Sequence, residues 1–211
     1  MRFQIYVGLG KILVQSLTSL LIRQACISMQ LQILSLSGSQ RAKSWSTALL
    51  LATKALGPQG VTIQIHEGHK AWPLFNPDLE SDPPKAVQEL RDLIDVADAI
   101  LIVSPEYAHG VTGTIKNTLD WLVSHPGFAC KPVAVFNPST QSCHADAALR
   151  ETLRTMAADL IPDACIRIPV IGSGINQSAI EATPAFRTAI TEALHRVVDH
   201  IERRKAQMTD A

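Results

Sequence analysis

A chain of 211 residues, 46% of them hydrophobic, has material for one sizeable core, and its length argues against a second domain. Nineteen Lys and Arg balance nineteen Asp and Glu, so neither a nucleic-acid footprint nor a strongly charged protein-docking face is expected. Charge is nonetheless uneven: no acid precedes Glu67, whereas Arg2, Lys11, Arg23, Arg41, Lys43 and Lys54 do, which makes the first third locally basic.

Residues 1–28 are apolar but interrupted. A membrane span would carry Lys11 near its middle at a cost of about 3 kcal/mol, which argues against one. Leu9, Leu13, Leu17 and Leu21 recur every four residues, as in an amphipathic helix, and the lack of acids also fits a targeting segment. A third reading, preferred here, starts translation at Met29, so that 1–28 is an extension outside the native protein and 29–211 is the domain.

Leu31 to Leu36 reads as a compact apolar strand. Ser37-Gly38-Ser39-Gln40-Arg41-Ala42-Lys43-Ser44 follows, and then Trp45, Ala48, Leu49, Ala52 and Leu56 fall at helical spacing with Ser44 as cap. A loop with Ser37, Ser39, Arg41 and Ser44 before a helix N-terminus suits a phosphate. Neither a Walker loop nor the G-x-G-x-x-G fingerprint is present.

Val61 to Ile65 is the second strand. His66-Glu67-Gly68-His69 lacks zincin spacing and is read as two solvated histidines. An irregular stretch with prolines at 73, 77, 83 and 84 leads to a helix through Val87, Leu90, Ile94 and Ala97, with Arg91 and Asp95 as an i,i+4 pair.

Ala99 to Val103 is a third, β-branched strand, and Ser104 to Gly113 forms its loop. Ile115, Leu119 and Leu122 then open a helix. Pro132 to Phe136 is the fourth strand and ends in a third polar loop, Ser139 to His144. A helix through Leu149, Leu153, Met156 and Leu160, a fifth strand Cys165 to Val170 and a last helix from Phe186 to Ile201, with Glu192–Arg196 and Asp199–Arg203 as i,i+4 pairs, complete the order. Cys26, Cys130, Cys143 and Cys165 show no C-x-x-C pairing and read as free thiols of a reducing compartment, which places the protein in the cytoplasm.

Strands alternating with helices predict an α/β, three-layer fold: a five-stranded parallel sheet in the flavodoxin-like order 2-1-3-4-5 with helices on both faces. The switch point then lies between strands one and three, where the loops Ser37–Ser44 and Ser104–Gly113 would meet.

These residues resemble the NADPH-dependent FMN reductases, which include flavin, quinone, azo-dye and chromate reductases. Gly38-Ser39-Gln40-Arg41 with Ser44 is similar to that family's G-S-x-R-x-x-S phosphate loop. Pro105-Glu106-Tyr107 followed by Gly113, Lys116, Asn117, Asp120, Trp121 and Leu122 resembles its P-E-Y-N loop and G-x-x-K-N-x-x-D-W-L helix, and Leu74 to Asp78 its connection after strand two. The resemblance runs from Gln30 to the last helix. Ala108 stands where the family usually has Asn, Ser46 where Asn is common, and Ser139 to His144 lacks the usual glycines.

The resemblance implies a flavoprotein that passes hydride from NADPH, or NADH, through bound FMN to a small acceptor such as a flavin or quinone. It implies phosphate contacts from Ser37, Ser39, Arg41, Ser44 and Ser46, and a ring wall from Pro105, Glu106, Tyr107, Ala108 and Gly110. Ser139 and His144 would close the third side. Apart from the resemblance, the N–H groups that open the following helix, with His144 if protonated, are placed to steady negative charge on the reduced ring, the alternative being a merely solvated His144. No protein base is needed for hydride transfer, and no metal is expected. A homodimer or homotetramer is also implied, with Trp121 either at its interface or in the core. The alternatives are an FMN-binding electron carrier and a degenerate flavin-binding module.

Overall fold

The computed structural model describes residues 30–41, 43–67, 72–172, 174 and 176–209. The expectations for 1–28, for a start at Met29 and for His69 lie outside the described residues.

The parallel ladder is built where β-branched and leucine runs demand burial on both faces. Strand β1 (Leu31–Ser37) leads to helix α1 (Trp45–Ala55), β2 (Val61–Ile65) to α2 (Lys85–Val96), and β3 (Ala99–Val103) to a small hairpin, β4 (Glu106–Tyr107) and β5 (Gly110–Val111). Helix α3 (Gly113–Leu122), β6 (Pro132–Asn137) and α4 (His144–Thr155) come next. Two short strands, β7 (Asp159–Leu160) and β8 (Ile166–Arg167), precede α5 (Gln177–Ala182) and α6 (Pro184–Thr209).

The sheet runs β2-β1-β3-β6-β7, with β8 also on β6, and all its pairs are parallel. This is the 2-1-3-4-5 order expected from the sequence. The fifth position is split. β7 pairs with the start of β6 and β8 with its end, and the turn Pro162–Ala164 interrupts them. Leu160 thus sits on a strand rather than on α4, which ends at Thr155; Ala157, in the left-handed region at φ 56°, turns the chain there.

Alternation along each strand divides the core in two. Leu31, Ile33, Leu101, Val103 and Phe136 face Leu49, Leu50, Leu194 and Ile201 of α1 and α6. Leu34, Leu36, Ile100, Ile102 and Val135 face Leu90, Ile94, Leu119, Trp121 and Leu149 of α2, α3 and α4. Cys165, half-buried, accepts a hydrogen bond from Val135 N at 3.3 Å, and burial pushes its thiol pKa up. Cys143 is exposed.

Two local expectations change. Arg91 is buried and donates from Nη2 to Trp121 O at 3.0 Å, while Asp95 meets His125 at 2.8 Å, so they do not pair with each other. His66 is buried, not solvated, and stacks on Trp72 with ring centroids 5.0 Å apart. Glu192 and Arg196 do pair, at 3.3 Å, whereas among the described ion pairs Asp199 and Arg203 are not joined.

Candidate active site

Register places three loops at one level. Ser37 pairs with Val103 and Val103 with Phe136, so the chain leaves β1, β3 and β6 side by side at the carboxyl edge of the sheet. In open α/β sheets this edge, at the point where strand order reverses, is where ligands bind.

The first two loops touch. Gly38 donates its N–H to Val103 O at 2.7 Å, and a Cβ at position 38 would lie 2.4 Å from Ser104 Oγ and 2.8 Å from Ser104 Cα. Because one of those atoms is backbone, rotation of the serine cannot relieve the clash, and glycine is required for the close approach.

The first loop is tied to itself. Ser37 Oγ donates to Ser39 O at 3.1 Å and accepts from Ser39 N at 3.2 Å, and Ser39 Oγ accepts from Arg41 N at 3.4 Å. Ser44 is the cap expected, its Oγ accepting from Thr47 N at 3.0 Å. The amides of Trp45 and Ser46 lie in the first turn, where no intrahelical acceptor exists. Ser37, Ser39 and Ser46 are buried; Arg41 and Lys43 are exposed.

The second loop is a hairpin rather than an open connection. Glu106 pairs with Val111 and Tyr107 with Gly110 around a two-residue turn, Ala108 and His109, at φ 48° and 61°. Two consecutive positive φ values make a type I′ turn, which Asn and Gly enter at low cost and Ala does not. Asn at position 108, as in the resembled family, would therefore ease the turn through its backbone as well as offer a side chain.

Pro105 is buried and Tyr107 is 56% exposed at the carboxyl edge. Thr112 caps α3, accepting from Ile115 N at 3.4 Å, and its hydroxyl lies 3.4 Å from Ser104 Oγ.

Glu106 does more than form a wall. Its Oε2 accepts from Ala145 N at 2.9 Å, and its Oε1 meets His109 Nδ1 at 2.8 Å. The Ala145 amide holds the carboxyl below the ordinary glutamate range; burial opposes this, and the His109 ring adds to it. Since Cys143 makes no side-chain cap to α4, the carboxylate of another loop caps that helix. One of the helix N-terminal amides expected to steady the reduced ring, that of Ala145, is thus engaged by Glu106. The His144 ring packs edge-on against His109, centroids 4.5 Å apart.

In the third loop Ser139 Oγ accepts from Gln141 N at 3.1 Å, while Ser139 N donates to Asn137 Oδ1 at 2.9 Å. Asn137 is buried and its Nδ2 donates to Ser142 O at 2.7 Å. A folded polar loop takes the place of glycines. The structure thus places Ser37, Ser39, Arg41, Ser44 and Ser46 along the first loop and the start of α1, Pro105 to Gly110 in the second loop, and Ser139 and His144 in the third loop and at the start of α4.

Sequence reasoning passed over His109, Thr112 and Asn137. Thr112, one residue before the glycine that opens α3, carried a cap signal; the others carried none. Asn117 and Trp121 are positioning residues here. Asn117 accepts from Phe75 N at 2.8 Å and donates to Pro73 O at 3.0 Å, and Trp121 Nε1 donates to the same carbonyl at 3.0 Å. The indole is fully buried inside one chain, so the core alternative holds and the interface one does not.

The donor set suits an aromatic phosphate. Arg41, the Ser39 and Ser44 hydroxyls and the first-turn amides of α1 present charge and hydrogen-bonding groups for a dianion, and Pro105 and Tyr107 present an apolar edge.

Residues 31–169 match the family described as NADPH-dependent FMN reductase. The chain is 34% identical over 133 residues to an NAD(P)H-dependent FMN reductase of Pseudomonas aeruginosa, an overlap of 60% of this chain and 71% of the relative. It is 31% identical over 113 residues to a quinone reductase of Escherichia coli, covering 52% and 60%. The chain thus spans between 47% and 71% of the length of the curated relatives it matches. Among solved structures, the flavoenzyme FerB of Paracoccus denitrificans, an NAD(P)H:(acceptor) oxidoreductase, superposes with a TM-score of 0.66 at 24% identity over 82% of this chain and 97% of that one. At that identity the likeness speaks for the fold.

Proposed function

Because the chain belongs to the NADPH-dependent FMN reductase family, whose members are oxidoreductases working with NAD(P)H and FMN, we propose that its three carboxyl-edge loops form one flavin site serving a small-molecule acceptor. Bound FMN would supply the chemistry, taking hydride from NADPH or NADH and passing it on.

The chain's own residues bind and orient. Arg41, Ser39, Ser44 and the first-turn amides near Ser46 neutralise the phosphate, and Ser37 holds that loop in shape. Pro105, Glu106, Tyr107, Ala108 and Gly110 wall the ring, with Tyr107 covering an exposed edge. Ser139 and His144 close the third side, and Glu106 fixes the distance between second and third loops. Positioning of this kind is what hydride transfer requires, since no protein proton acceptor takes part.

The observation that carries the reading is the contact of Gly38 with Ser104, which joins the phosphate-type loop and the ring loop at the switch point. Flavin absorbance of the purified protein and NADPH oxidation with and without a quinone test it. Loading with flavin and quinone-dependent oxidation are expected. Absence of flavin uptake would point to a degenerate module, and uptake without NADPH oxidation to an electron carrier.

Among the described residues no helix is long and apolar enough to cross a membrane. A cytoplasmic homodimer or homotetramer is part of the proposal. Exposed Leu74, Val96 and Val123, on or beside α2 and α3, support an interface there, and light scattering measures it.

A further inference from the structure

A cleft of about 380 Å³ lies between the start of α1 and the start of α5, lined by Arg41, Lys43, Ser44, Trp45, Asn176 and Gln177 among others. Its size falls in the range of small-ligand pockets. Among the described residues no carboxylate lines it. Arg41 and Lys43 are exposed, and among the described residues neither side chain has a hydrogen-bond or ion-pair partner.

Two charges held without counter-ions beside an apolar wall favour an anion attached to a flat ring. Trp45 is half-buried against the core, and Leu51, 39% exposed, continues the apolar surface one face further along α1. The two amides across the cleft are oriented by other groups. Asn176 Oδ1 accepts from Ala179 N at 3.0 Å, which leaves its Nδ2 to donate, and Gln177 Nε2 donates to Glu181 Oε1 at 2.8 Å, which leaves its Oε1 to accept. A donor beside an acceptor matches the edge of adenine, with its ring nitrogen and exocyclic amine.

We propose that this cleft binds the adenosine 2′-phosphate end of NADPH, with Lys43 selecting NADPH over NADH and Trp45 packing against the purine. The proposal rests on the NAD(P)H-dependent flavin reading and extends beyond it: Arg41 and Ser44 stand between the two sites, whereas Lys43, Trp45, Asn176 and Gln177 belong to the cleft alone. A 2′-phosphate adds a dianion that NADH lacks, and an exposed, unpaired ammonium discriminates by charge-assisted hydrogen bonding.

The test titrates adenosine 2′,5′-bisphosphate and adenosine 5′-monophosphate into the full-length protein, with and without FMN, by calorimetry and tryptophan fluorescence. The bisphosphate is expected to bind in both states and more tightly than the monophosphate. Its quenching of fluorescence should disappear in Trp45→Phe. In Lys43→Ala the KM for NADPH should rise about tenfold, with the KM for NADH, kcat and bound FMN unchanged. Equal affinity for the two nucleotides, displacement of FMN by the bisphosphate, or equal changes in both KM values would overturn the assignment. Because binding to flavin-free protein is read directly, failure of the flavin reading leaves this outcome separately measurable.

Discussion

The two loops that meet at the switch point are held in opposite ways. Ser37 to Ser44 is closed by contacts within the loop and its helix: Ser37 on Ser39, Ser39 on Arg41, Ser44 on Thr47. Ser104 to Thr112 is instead braced from afar, through the reach of Glu106 across 39 positions to Ala145 and through a hairpin whose turn is uncomfortable for the residues it contains. A loop built on short-range hydrogen bonds keeps its shape while leaving its cations free for a ligand. A loop built on long-range ones couples its shape to the third loop and to pH.

Breaking the point where the two meet should have the largest effect. Gly38→Ala forces a Cβ into Ser104 and is expected to cost about 3 kcal/mol of stability, read as a lower urea midpoint, together with flavin loading. An unchanged midpoint would mean that the loops are not in contact.

Arg41→Ala probes the self-contained loop. Loss of a charge-assisted contact to a phosphate should weaken FMN binding by about 2 kcal/mol, roughly thirtyfold, while stability holds, because the guanidinium is exposed and supports nothing else. A fluorescence titration of FMN beside a denaturation curve separates the two.

Glu106→Gln probes the braced loop and should do the reverse, loosening the hairpin. Its folded pKa is depressed, so the stability it contributes is present above the ordinary glutamate value and is lost as pH falls through the lower folded one. Between pH 7 and 3 the urea midpoint of the parent should therefore drop more steeply than that of the variant. Parallel curves would show that the carboxylate is not a brace.

The smallest effect is a gain. Ala108→Gly should raise stability by about 1 kcal/mol by relieving the φ 48° turn, and Ala108→Asn by less, with tighter FMN binding in the Asn form if its side chain also reaches the ring. A melting curve resolves the stability change, and destabilisation by Gly would argue against a type I′ turn.

The same division explains what was readable in advance. The first loop announced itself because its hydrogen bonds join neighbours, so Ser37, Ser39, Arg41 and Ser44 carried their geometry in their spacing. Strand order followed from alternating apolar runs, which must be buried on both faces wherever they pair in parallel. The role of Glu106 as a cap for α4, the His109–His144 contact and the clamping of Pro73 by Asn117 and Trp121 had no local signature. So too the fifth strand, expected over Cys165–Val170 and found as Asp159–Leu160 and Ile166–Arg167 on either side of the turn Pro162–Ala164.

By itself, then, the amino-acid order determined the sheet, the two-sided core and the phosphate-type loop, because periodicity and short-range hydrogen bonding act over a few residues. Tertiary structure alone decided how the ring loop is held and that Arg41 and Lys43 face Asn176 and Gln177 across a cleft. Such partners lie tens to more than a hundred positions apart, and it is folding of the sheet that brings them together.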